Sequence, residues 1–275
     1  MTSTTKAEPG ARWASQRASE EAFLAASAML FAASAAVTIV WCASMSAMGE
    51  MPMPGAWTMS MAWVRMPGQS WLGAAASFLG MWIVMMVAMM LPSLVPMLSR
   101  YHNAVGSTGE TRLGWLTALV GVGYFFVWTV FGMAAFPLGV ALAAVEMNYS
   151  ALARIVPIAV GVVVMVAGAL QLTAWKARHL ACCREMPRHG RTMPAECATA
   201  WRHGLRLGLH CGQCCAGLIA ILLVVGVMDL RVMAAVTAAI SVERLAPAGE
   251  RVARGVGAVV IGAGLFMIAR AAGLR

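Results

Sequence analysis

Charge is what this sequence has least of. Only 11% of its 275 residues are charged and 61% are hydrophobic, and a mean hydropathy of +0.77 excludes an ordinary soluble domain, in which about 25% of residues are charged. Acidic residues are the scarcer kind, 11 against 20 basic. A basic balance can mark a nucleic-acid binder, but here the Lys and Arg residues lie between apolar runs and not on one soluble face, which argues against nucleic acid as a partner. No Walker-type phosphate loop is present, which argues against ATP-driven pumping by this chain alone. The paired Cys-x-x-Cys knuckles of zinc fingers are missing too. A cleaved signal peptide does not fit: Glu21 and Glu50 bracket 28 uncharged residues, against an h-region of about 7–15, so this run reads as a retained spanning helix.

The apolar runs predict an all-α fold, a polytopic transmembrane helical bundle of six or seven spans. Residues 1–20 read as a disordered cytoplasmic tail and 21–275 as a single membrane domain. Spans are expected at 23–47, within 71–98, at 113–145, at 155–175 and at 207–228. The run 232–242 is short for a span, and 255–269 makes a last one. Lys176, Arg178, Arg184, Arg188, Arg191, Arg202 and Arg206 crowd one loop, 176–206, which the positive-inside rule places in the cytoplasm together with the N-terminus. The loop 45–70 then lies outside. Gln171 is the one strongly polar side chain in its span and reads as a bundle-facing residue. Glu243 and Asp229 read as interfacial partners of nearby Arg side chains, and Cys42 as a small buried packing residue.

The outer loop is rich in methionine: Met45, Met48, Met51, Met53, Met59, Met61 and Met66, with Pro52 and Pro54 precluding a long helix. Thioether sulfur is soft and needs no deprotonation, so one reading is a capture surface for Cu(I). The other is an interfacial segment anchored by Trp57, Trp63 and Trp71, with Met as filler. Within the second span Met81, Met85 and Met89 form a stripe at i, i+4 and i+8, either core packing or a thioether relay.

Five of the seven cysteines fall in two tight clusters. His210-Cys211-Gly212-Gln213-Cys214-Cys215 puts three thiols at i, i+3 and i+4 of a helix, on one face and able to converge on one ion. His179-Leu180-Ala181-Cys182-Cys183 repeats the chemistry at the end of the preceding span. An antiparallel pairing of these spans would bring His179, Cys182 and Cys183 to the same membrane face as His210, Cys211, Cys214 and Cys215. In a reducing cytosol such thiols stay unoxidised, and Arg178, Arg184 and Arg206 are expected to favour the thiolate. Soft sulfur selects Cu(I), with Zn(II) next. The alternative is cysteine as a mere helix-packing residue.

Three motifs in order, Trp82-x-x-Met85-Met86-x-Ala88-Met89-Met90-x-Pro92, then Gln171-Leu172-Thr173-x-x-Lys176 followed by Cys183-Arg184, then Gly208-Leu209-x-Cys211-x-x-Cys214-Cys215, resemble the DUF2182 family over about residues 71–245. The resemblance implies a metal-binding integral membrane protein, of a kind sometimes labelled a copper chaperone. The family pattern has a cysteine three residues after the lysine; this chain has His179 there, keeps Cys183 and adds Cys182. The expectation is therefore a multi-pass protein of a bacterial inner membrane, not an enzyme, that handles Cu(I) and exchanges it with another copper protein or membrane complex. Two other classes stand beside it: a thiol-disulfide redox protein working through Cys211 and Cys214, and a non-catalytic assembly partner of a membrane complex.

Overall fold

The computed structural model describes residues 9–47, 49, 51–54, 57–105, 110–185 and 196–273. Among these are eight α-helices: α1 (Pro9–Ala47), α2 (Trp71–Val105), α3 (Glu110–Asn148), α4 (Ser150–Gln171), α5 (Ala174–Glu185), α6 (Cys197–Val225), α7 (Leu230–Leu245) and α8 (Gly249–Ala271). Six, all but α5 and α7, are long and apolar enough to cross a membrane. The predicted all-α bundle is thus the observed architecture. Between α1 and α2 the methionine-rich segment forms a small antiparallel hairpin, β1 (Met51–Met53) on β2 (Trp57–Met59), with Met51 opposite Met59. A 3-10 turn over Met61–Trp63 follows, its first N–H groups capped by the Ser60 hydroxyl. The Trp57 indole N–H donates to the Ala153 carbonyl at 2.9 Å, tying the hairpin to the start of α4.

Two expectations are corrected at the helix ends. Residues 9–20, read as part of a disordered tail, are the beginning of α1; residues 1–8 lie outside the described residues. The basic loop 176–206 is largely helical, because the chain breaks at Leu172–Thr173, starts α5 at Ala174 and starts α6 at Cys197; its residues 186–195 lie outside the described ones. Cys211 therefore sits about 21 Å along α6 at 1.5 Å per residue, near mid-helix, whereas a span beginning at residue 207 would put it in the first two turns.

α2 is the central helix. Its apolar residues surround it on all sides, so a single buried stripe is not defined, and Trp82, Met85, Met86, Met90 and Leu94 are all sealed in the core. α1, α3 and α7 pack around it. α6 packs in turn against α3, α4, α5 and α7. The α4–α8 pair is held by close backbone approach: a Cβ on Gly168 would lie 2.9 Å from the Gly257 carbonyl oxygen, and one on Gly264 2.8 Å from that of Gly161. Small residues at such crossings let helices associate where lipid gives no hydrophobic drive.

α7 runs from the hairpin end of the bundle to the α5 end. At 16 residues it is about 24 Å long. Asp229 caps it, accepting from the Arg231 and Val232 N–H groups at 2.7 and 3.2 Å, and among the described residues no Arg side chain forms an ion pair with it. At its other end Glu243 and Arg244 are buried.

Candidate metal centre

The i, i+3, i+4 spacing of the cysteines on α6 works as elementary helix geometry requires: Cys211, Cys214 and Cys215 all turn inward and are buried. α5 lies across this face and adds Cys183, which is fully enclosed. The thiols meet in pairs, Cys183 with Cys214, Cys214 with Cys215, and Cys215 with Cys211. Two further helices close the cluster. From α3 the Tyr124 hydroxyl stands 2.8 Å from the Cys211 sulfur, and from α2 the Met90 thioether lies 3.9 Å from the same atom. All seven cysteines are free thiols.

Among the described residues, no group of three or more His, Cys, Asp or Glu side chains is placed to hold a metal ion as it stands. The arrangement is a chain of sulfur pairs, and Cu(I) is an ion that can bind linearly between two sulfurs or trigonally among three. A tetrahedral Zn(II) site needs four ligands fixed at once.

The electrostatics come from residues outside the cysteine motifs. Lys176 donates to the Glu243 carboxylate at 2.6 Å and to the Cys214 carbonyl at 2.8 Å. Gln171 donates to the other Glu243 oxygen at 2.9 Å. Burial works against the charged form of Lys176, but the neighbouring Cys214 and Glu243 outweigh it and hold its pKa above the ordinary lysine value. Arg244 is the next residue, and among the described residues no carboxylate forms an ion pair with it, the nearby Glu243 being engaged by Lys176. Its guanidinium donates to the Ser93 hydroxyl at 3.2 Å and to the Cys183 sulfur at 3.7 Å, while its Nε has no partner among the described residues. A buried guanidinium without an anion is strongly disfavoured. The groups that face it and can become anionic are the thiols of Cys183, Cys211 and Cys215, with the Tyr124 phenol. The cluster is therefore built to hold negative charge on sulfur.

Sequence reasoning placed Cys183, Cys211, Cys214 and Cys215 at one site, and the structure brings these four together. His179 and His210 form a ring pair 6.1 Å apart between centroids, with Trp175 edge-on to His179; the Nδ1 of His210 is buried without a partner among the described residues. Cys182 is half-buried and turned away from Cys183, since adjacent helical residues differ by about 100°. Met81, Met85 and Met89 are buried along α2, but it is Met90, one position off that stripe, that touches Cys211. The expected arginines do not face the thiols: Arg178 donates to Ala174, Arg184 to Pro247, and Arg206 is exposed. Glu243, read as an interfacial partner of Arg, is instead the buried partner of Lys176 and Gln171. Met90 stands in the α2 motif but was not assigned to the site, and Tyr124, Ser93 and Arg244 were not assigned to it either; of these three, Arg244 carries a signal, as half of a charged pair closing an apolar run too short to span.

No curated protein and no solved structure matches the chain. A family model described as "PpoB2: Copper chaperone" matches residues 79–267, a range that contains all four thiols, Met90, Lys176 and the Glu243-Arg244 pair. The chain therefore belongs to the PpoB2 copper chaperone family.

Proposed function

We propose that this chain is an integral membrane protein that carries Cu(I) as cargo on the thiolates of Cys183, Cys211, Cys214 and Cys215, with the Met90 thioether as an accessory donor. The observation that carries the reading is the buried Arg244 guanidinium, which faces those sulfurs and has no ion-paired carboxylate among the described residues. Two thiolates on one Cu(I) leave a net negative charge, which Arg244 offsets inside a site that excludes water. Soft sulfur donors and a low coordination number select Cu(I) over Zn(II). The protein acts as a carrier and not an enzyme, passing the ion to another copper protein or membrane complex by exchange of sulfur ligands. His179 and His210 lie at the α5 end, on the cytoplasmic side together with the N-terminus, a reading supported by the positive-inside rule applied to the basic residues there, in a bacterial inner membrane.

Copper X-ray absorption on anaerobically loaded protein tests this. The expected spectrum is that of Cu(I) with two or three sulfur neighbours, lost in Cys211→Ser/Cys214→Ser/Cys215→Ser. A copper shell made mainly of nitrogen or oxygen would refute it.

A further inference from the structure

The end of the bundle opposite α5 holds a second concentration of sulfur. A cavity of about 190 Å³ opens there, and five methionines from five separate stretches of chain line it: Met45 at the end of α1, Met61 in the 3-10 turn, Met66 in the segment before α2, Met81 in α2 and Met228 in the turn before α7. Among the described residues, no charged side chain, histidine or cysteine contributes to its wall. Its polar side chains, Gln69 and Ser77, are hydrogen-bonded to each other at 3.4 Å. A hard cation would find no carboxylate here, and a divalent borderline ion no imidazole or thiolate. A soft monovalent ion would find thioethers on several sides. Methionine used as filler collapses into gaps, because its unbranched chain adapts to irregular space. Here five such chains surround space they leave open.

The cavity is also connected. From Met81 the α2 helix carries Met85, Met86, Met89 and Met90, all buried, and Met90 reaches Cys211. The distance from Met81 to Met90 along the axis is about 14 Å at 1.5 Å per residue. Buried methionines thus occupy α2 at successive turns between the cavity and Met90, which touches the thiol cluster.

We propose that this methionine-lined cavity is a second, weaker Cu(I) site, through which the ion enters or leaves the thioether file that ends at Cys211. The inference rests on the copper reading of the thiol cluster, but it concerns different residues and is tested separately. Neutral thioethers hold Cu(I) less tightly than thiolates and need no proton release, so the cavity is a site of exchange and the cysteines one of retention.

The test uses the full chain in detergent under anaerobic conditions, titrated with Cu(I) in competition with a chelator of known affinity. Four proteins are compared: wild type, Cys183→Ser/Cys211→Ser/Cys214→Ser/Cys215→Ser, Met45→Leu/Met61→Leu/Met66→Leu, and the two sets combined. Leucine keeps the volume and removes the sulfur, and circular dichroism with size-exclusion profiles checks the fold. The serine variant is expected to retain a weak Cu(I) equivalent that the combined variant loses, and the leucine variant to lose that equivalent while keeping the tight one. A serine variant that binds no Cu(I), or a weak equivalent unchanged by the leucine substitutions, overturns the proposal. Should the serine variant misfold, the leucine variant alone decides, since loss of no equivalent relative to wild type also overturns it. Failure of the cysteine reading would appear differently, as loss of the tight equivalent from wild type itself.

Discussion

Lys176 and Glu243 form a buried ion pair at 2.6 Å, and by pairing with each other they leave the adjacent Arg244 to face the thiols. The three charges have different tasks. The Lys176–Glu243 pair, completed by Gln171 and the Cys214 carbonyl, pins α5 and α7 to α6. Arg244 supplies the positive field of the cluster. Each task gives a measurable expectation.

Removing the Glu243 charge strands a buried ammonium. Glu243→Gln is expected to destabilise the protein by about 3–5 kcal/mol, because breaking a buried pair leaves an uncompensated charge. Adding Lys176→Met should recover part of that loss. Thermal unfolding in detergent measures both, and a double variant no more stable than the single one would show that the pair is not what Glu243 supports.

Arg244→Met removes the cation that offsets the bound thiolates and is expected to weaken Cu(I) binding on the order of 10- to 100-fold, the range of a lost charge-assisted hydrogen bond at about 1.5–3 kcal/mol. Arg244→Lys keeps the charge and should retain more of the affinity. Chelator competition reads the difference. Equal affinities for wild type and Arg244→Met would remove Arg244 from the site.

Met90→Leu separates ligand from packing on α2. The swap is close to volume-conserving and should cost under about 1.5 kcal/mol in stability, yet it removes the thioether beside Cys211. Copper affinity is expected to fall in Met90→Leu and to hold in Met85→Leu, for which no contact with the thiols is seen. The same fall in both would indicate a packing effect.

The α4–α8 crossing is sensitive to a single methyl group. Gly168→Ala would push a Cβ to 2.9 Å from the Gly257 carbonyl and should destabilise by about 1–3 kcal/mol through overpacking. Gly121→Ala meets nothing within 4 Å and should be neutral or stabilising, since alanine favours helix over glycine by about 1 kcal/mol. Unfolding midpoints of the two variants compare them directly.

The apolar runs and the cysteine spacing made most of this site legible from sequence. Runs of the right length mark six helices, and three cysteines at i, i+3 and i+4 have one helical face available. Adjacent residues defeated the same reasoning. Cys182 and Cys183 are about 100° apart on a helix, and nothing in the sequence says which one faces α6. On α2, an all-round apolar helix, periodicity could not choose between the Met81–Met85–Met89 stripe and the face that carries Met90. The break at Leu172–Thr173 contains neither proline nor glycine, so Lys176 read as the edge of a loop when it is a buried residue in the first turn of α5. The role of Arg244 depends on Lys176 having taken Glu243, a contact spanning 67 residues that no local pattern encodes.

The central claim, that the buried thiols hold copper, is tested most directly by metal content. Protein purified anaerobically in detergent, wild type beside Cys211→Ser/Cys214→Ser/Cys215→Ser, is to be reconstituted with Cu(I) and assayed for copper and zinc per chain. The account predicts near-stoichiometric, tightly held copper in the wild type, little zinc, and loss of the tight copper in the variant. Wild-type protein that stays empty after Cu(I) addition, or a variant that holds copper as tightly, would contradict it.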